Sequence, residues 1–206
     1  MSESAVTTDE PNRLLALSDG VFAIAITLLV LDISVRQGLD PAEFRHALRE
    51  TVDSLLAYGL SFVVIAALWR DHRRIFGKVV RADEVLVRLT LLGLGLVALM
   101  PFPTTLLADY GSQPEAVAIY AGAVAVVDAV HLGLLLYVAR RPQLLSSPLS
   151  AASVRLLSAD LGATILVFVV SVPLAFASPA GAKWCWVVLI PIRVVLGRLR
   201  RRRRAA

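Results

Sequence analysis

Six apolar stretches follow one another along the chain: residues 14–35, 51–69, 85–107, 116–139, 154–176 and 182–196. A helix crossing about 30 Å of hydrocarbon needs about 20 residues at ~1.5 Å each. The sixth stretch is the shortest and carries Pro191. The connections are short and rich in breakers. Gly38-Leu39-Asp40-Pro41 follows the first stretch and starts a short amphipathic helix expected over Ala42 to Glu50. Gly111-Ser112-Gln113-Pro114, Arg140-Arg141-Pro142 and Ser178-Pro179 separate later stretches. The pattern predicts an all-α membrane protein, one unit over residues 1–206 with six transmembrane helices.

Composition narrows the class. Of 206 residues, 57% are hydrophobic and 18% charged, against about a quarter charged in soluble domains. That excludes a compact soluble enzyme and intrinsic disorder. Cys185 is the single cysteine, so no intrachain disulfide and no multi-thiolate metal site can form. The net charge of +5 is not gathered on a soluble face, so no nucleic-acid partner is expected. Arg70, Arg73, Arg74, Lys78 and Arg81 follow the second stretch, Arg140 and Arg141 the fourth, and Arg198 with Arg200 to Arg204 the sixth. With six spans these segments share one side, which the positive-inside bias makes cytoplasmic. Arg36, Arg45, Arg49 and Lys183 lie opposite, offset by Asp40, Glu43 and Glu50. Both termini are expected in the cytoplasm, of a plasma-membrane protein. The start of the chain has Glu3, Asp9 and Glu10 but no basic front, unlike a signal peptide. The arginine tail reads as a topology anchor ahead of a site for anionic lipid.

Polar groups within the spans are costly and must pair or meet water. Asp128 and His131 are three residues apart, on one helix face. They read as a structural hydrogen-bonded pair rather than a proton relay, because two carriers do not cross a membrane. Asp160 and Arg88 read as salt-bridge members with partners left open. There is no glycine-rich phosphate loop, no paired histidines at metal spacing and no nucleophile elbow. No catalytic residue, metal or other cofactor is expected.

The first stretch holds Arg13, Ser18 and Asp19, then an apolar run in which Ile24, Leu28 and Leu31 fall on one helical stripe. Arg13, Leu17, Ser18 and Asp19 resemble the first-helix signature of the transmembrane protein 175 family: an arginine, three residues, then Phe-Ser-Asp. Leu17 stands where phenylalanine is usual. Trp69 and His72, with Phe76 four residues on, resemble the family's block after the second helix. Met100-Pro101-Phe102-Pro103-Thr104 resembles its proline-phenylalanine segment in the third. One six-helix unit resembles the prokaryotic form.

The resemblance implies a potassium-selective channel without a carbonyl filter. First helices of four subunits surround the pore, and an apolar side chain five residues after the motif aspartate forms its narrowest ring. That position is Ile24, with Leu28 and Leu31 following and Thr27 adjacent. Rings of this kind close a pore by dewetting. Arg13, Ser18, Asp19, Trp69 and His72 are implied to tie the first helix to its neighbours. The implied assembly is a homotetramer in lipid, with potassium as the permeant ion. The alternatives are a proton channel or small secondary transporter using Asp128, His131 and Asp160, and a non-conducting scaffold.

Overall fold

The computed structural model describes residues 3–33 and 37–187. The described residues form helices α1 (Glu3–Leu28), α2 (Pro41–Phe76), α3 (Glu84–Leu99), α4 (Pro101–Tyr110), α5 (Pro114–Ala139), α6 (Ala151–Ala177) and α7 (Pro179–Val187), without a strand among them. Among the described residues five spans are long and apolar enough to cross a membrane: Glu10–Leu31, Pro41–Phe76, Glu84–Tyr110, Pro114–Ala139 and Ala151–Ala177. The sixth expected span begins within α7, and its residues from 188 onward lie outside the described residues, as does the arginine tail.

Two boundaries differ from those expected. No break separates residues 42–50 from 51–69, because α2 runs unbroken for 36 residues. Asp40 caps it: its Oδ1 accepts from the Ala42 and Glu43 amides at 2.7 and 2.8 Å, and its own amide donates to Glu43 Oε2 at 3.0 Å. This reciprocal cap, with Pro41 at the first position, nucleates the helix in water, and no residue before Phe76 interrupts it. At ~1.5 Å per residue α2 far exceeds the ~30 Å of hydrocarbon. Conversely, the third span breaks into α3 and α4 at Pro101. Proline has no N–H to give the Val97 carbonyl, and the Met100 amide takes its place at 3.0 Å.

Hydrocarbon offers no partner to hydroxyls, so they bond within the protein. Ser18, Thr27, Thr104, Thr164 and Ser171 each donate to a carbonyl one turn back. The Ser61 hydroxyl lies 2.8 Å from Thr104 Oγ1 and 3.1 Å from Tyr120 Oη, which joins α2, α4 and α5 beside the Pro101 break. Trp186 of α7 donates to Ser171 Oγ at 2.9 Å and stacks on Phe168 of α6. Around these contacts Phe22, Leu29, Ile65, Val97, Val124 and Phe168 form a continuous core.

The loops at one end of the bundle are clamped. The Val80 amide donates to the Leu144 carbonyl at 2.9 Å, and the Ser146 amide to that of Lys78 at 2.8 Å. Beside this clamp Asp83 caps α3 through the Leu86 amide, accepts from Tyr137 Oη at 2.6 Å and faces Arg141 at 3.9 Å. Partial burial works against its charge, but these bonds and the guanidinium outweigh it and hold the carboxyl below the usual carboxylate range.

Ser61→Ala is expected to lower stability by about 1 kcal/mol, in line with other hydrogen bonds between membrane helices. Thermal unfolding in detergent checks this, with Ser54→Ala on the same helix expected to change little.

Candidate functional site

The candidate site is built on α1. Its described buried positions are Pro11, Leu14, Ser18, Phe22 and Ala25, spaced three or four residues apart, and Leu29 continues them in the 3-10 turn Leu29–Asp32 that follows and carries Leu31. Between them Leu17, Ile24, Leu28 and Leu31 stand exposed, at 60% for Ile24, 41% for Leu28 and 70% for Leu31. Ala23 and Thr27 lie on the same exposed side. One face of an apolar helix is therefore packed in the chain and the other is bare. Ile26 belongs to the packed side, half-buried against the core.

Two adjacent residues set the rotation of this helix. Asp19 Oδ1 accepts from Trp69 Nε1 at 2.8 Å, and Oδ2 from Arg73 Nη1 at 2.6 Å. Trp69 and Arg73 are four residues apart on α2, so one helical face presents both donors. The Arg73 guanidinium also lies over the Trp69 ring, 5.7 Å from its centre. Next to Asp19, Ser18 Oγ lies 3.0 Å from His72 Nε2 and 2.8 Å from the Leu14 carbonyl. The serine's single proton goes to that carbonyl, so His72 Nε2 carries the proton of the other bond.

The buried half of the site is aromatic. Phe22 meets both the His72 and His131 rings, at 5.7 and 6.4 Å between centres. His72 stacks on Phe76 at 4.6 Å and meets His131 edge-on at 5.6 Å. His131 Nδ1 donates to the Val127 carbonyl at 2.9 Å, which fixes its ring. Buried Asp71 faces Arg74 at 2.7 Å and Arg70 at 3.8 Å.

Ser18, Asp19, Trp69 and His72 come together here. Arg13 does not: it lies exposed on the bare side of α1, and none of the described residues pairs with it. Arg73 holds Asp19 instead. Sequence reasoning counted Arg73 among the topology-setting charges, although its four-residue spacing from Trp69 was a usable signal. Arg88 pairs with Glu84 on the exposed surface of α3. Asp128 and Asp160 are buried, on α5 and α6. Among the described residues no group of three metal-ligating side chains is present.

Known proteins resemble the chain both in sequence and in structure. A family profile described as "Endosomal/lysosomal potassium channel TMEM175" matches residues 13–101, from Arg13 to the α3–α4 break. The crystal structure of a lysosomal potassium-selective channel TMEM175 homolog from Chamaesiphon minutus is 32% identical, with a TM-score of 0.79, and covers 91% of this chain and 98% of that one. The chain belongs to the TMEM175 family. A protein named as a potassium channel in Streptomyces collinus is 46% identical over 108 residues, 52% of this chain and 52% of that protein. The zebrafish relative, named as an endosomal/lysosomal proton channel, is 24% identical over 147 residues, 71% of this chain and 28% of that protein. The match thus spans about half the length of the bacterial relative and less of the animal one. Like the family, the chain is a multi-pass membrane protein.

Removing members of the tie is expected to rank by burial. His72→Ala costs about 2–3 kcal/mol, since it opens a cavity and strips a buried hydroxyl of its partner. Asp19→Asn costs about 1 kcal/mol, because its pair is half-exposed and screened. Arg13→Ala leaves the stability of the isolated subunit unchanged. Unfolding midpoints of the three variants in one detergent decide the order, and a loss for Arg13→Ala equal to that for His72→Ala would contradict it.

Proposed function

We propose that the chain is a potassium-preferring channel of the plasma membrane, working as a homotetramer with α1 of each subunit lining the pore. The bare apolar face of α1 carries this reading. A helix tied this firmly by Asp19 and Ser18, yet with Ile24 60% and Leu31 70% exposed, presents its other face to copies of itself. Identical subunits meeting through a heterologous contact close into a ring. In that ring Ile24 forms the narrowest point, with Leu28 and Leu31 continuing the stripe. Potassium is the permeant ion named for the Streptomyces and Chamaesiphon relatives. No cofactor takes part. Both termini face the cytoplasm, on the side of the clamped loops.

The constriction works through hydration. An ion in an apolar ring loses water without gaining ligands, so a narrow ring of isoleucine and leucine resists passage. Thr27 is the hydroxyl-bearing residue on the bare face. Its proton is committed to the Ile24 carbonyl at 2.9 Å, which leaves its oxygen lone pairs to a passing cation. The tie anchors α1 and binds no ion: both carboxylate oxygens of Asp19 already have donors.

A second reading, proton conduction, draws on buried Asp128, His131 and Asp160 and on the edge contact between His131 and His72. Reversal potentials in opposed potassium and proton gradients separate the two.

Native mass spectrometry of the purified protein, in conditions that preserve current, should give a tetramer. A conducting monomer or dimer would end the pore assignment. Ile24→Asn is expected to raise current and lower potassium-over-sodium discrimination in bi-ionic bilayer recordings, since four amides replace a dry ring. Ile26→Asn is the control. It lies about 200° around the helix, so it should impair packing or yield and leave selectivity intact. The reverse pattern would mean that another face of α1 lines the path.

A further inference from the structure

The clamped end of the bundle carries more positive charge than its carboxylates neutralise. Sorted by partner, its basic residues from Arg70 to Arg141 fall into two groups. Arg73 pairs with Asp19, Arg70 and Arg74 with Asp71, Arg88 with Glu84 and Arg141 with Asp83. Lys78, Arg81 and Arg140 are exposed, and none has a carboxylate partner among the described residues. The backbone nevertheless sets the two loops that carry them side by side. The Lys78 carbonyl accepts from Ser146, and the Arg81 amide donates to the Leu144 carbonyl at 3.3 Å, four residues after Arg140. The carbonyl ends of α2 and α5 offset about half a charge each, against three full charges. Exposed like charges on adjoining loops repel as they approach, and an anion with several oxygens relieves the repulsion.

The neighbouring surface identifies the kind of anion. Val85, Leu92 and Leu99 of α3 recur every seven residues, 45%, 54% and 64% exposed, and form an outward stripe that is apolar but for the Arg88–Glu84 pair on its flank. It starts one turn beyond Arg81 and runs along the helix away from the clamp. A headgroup phosphate at the cations and an acyl chain along the stripe satisfy both features at once, which a soluble anion does not.

We propose that Lys78, Arg81 and Arg140, gathered by the clamp between the α2–α3 and α5–α6 loops, bind the phosphate of an anionic phospholipid whose acyl chain lies on the Val85–Leu92–Leu99 stripe. This site is separate from the pore and does not rest on the channel reading.

The test uses the full chain, equilibrated with phosphatidylglycerol and phosphatidylcholine and then analysed by native mass spectrometry for retained lipid. Lys78→Gln with Arg140→Gln is expected to weaken phosphatidylglycerol retention by about thirtyfold, at roughly 1 kcal/mol for each basic residue at an anionic surface. Retention of phosphatidylcholine should not change. Arg45→Gln with Arg49→Gln removes the same charge from the opposite end of α2 and should leave retention intact. Equal loss in both pairs, or loss in neither, would overturn the site. Lys78→Arg with Arg140→Lys keeps the charge and should keep the lipid, so lost retention there would also count against it. Inorganic phosphate supplied alone should not displace the lipid. Full displacement would make this a soluble-anion site and remove the acyl stripe from the proposal. Leu92→Gln separates the stripe: it should lower retention while the cations stay in place, and unchanged retention would restrict the site to the headgroup and overturn the acyl contact.

Discussion

The rotation of α1 about its own axis is the constraint on which the rest of the site depends. Ser18 and Asp19 set it by reaching α2 at two successive positions, one buried and one half-exposed. A single bond would leave the helix free to swivel, whereas two bonds about 100° apart around the helix do not. Once Asp19 is held by Trp69 and Arg73, Phe22 falls between the two histidine rings. Ala25 and Leu29 then follow into the core, and Ile24, Leu28 and Leu31 are left outside. Which face is bare is thus a consequence of where a carboxylate finds its donors.

Much of the fold was legible because hydrocarbon imposes a length and forbids unsatisfied backbone. The apolar runs at 116–139 and 154–176 correspond to α5 and α6 within three residues at each end. Hydropathy failed where helix and membrane cease to coincide. The cap at Asp40 starts α2 among polar residues, and the helix expected over Ala42 to Glu50 runs on without a break into the apolar stretch, so what apolarity alone hid was the continuity of the two. At Pro101 the chain stays apolar while the backbone ladder loses a donor, so apolarity hid a break. In both places the deciding information lay in backbone hydrogen bonding, and Asp-Pro-x-Glu and Met-Pro were its marks in the sequence.

The site was legible to a similar extent, for a similar reason. Ser18, Asp19, Trp69 and His72 are residue types whose burial demands partners, and the structure brings the four together. Arginine gives no such signal, because a cation at the end of a membrane helix is equally a topology marker. The resemblance therefore gave the tie to Arg13, while Arg73 read as a topology charge. They differ only in which face of which helix each occupies: Arg73 shares a face of α2 with Trp69, while Arg13 shares the bare side of α1 with Ile24. Ser61, Thr104 and Tyr120 were missed because hydroxyls are common in membrane helices, and their meeting depends on tertiary packing.

The spacing between tie and stripe makes the geometry unforgiving. Ile24 is five residues after Asp19, which places it about 140° further around the helix and ~7.5 Å along it. The tie therefore grips α1 from the side while the isoleucine points elsewhere, so the anchor does not compete with the bare face for space. A register error of one residue turns the helix by about 100°. It would bring Ala25, now in the core, to the bare face and drive Ile24 toward the packed side. A ring of four alanines would be far wider than a ring of four isoleucines, and the core would have to accept a larger side chain. In the proposed ring, packing and pore width would therefore oppose the same error, so one short polar motif near the start of α1 would suffice to place the proposed constriction more than one turn away.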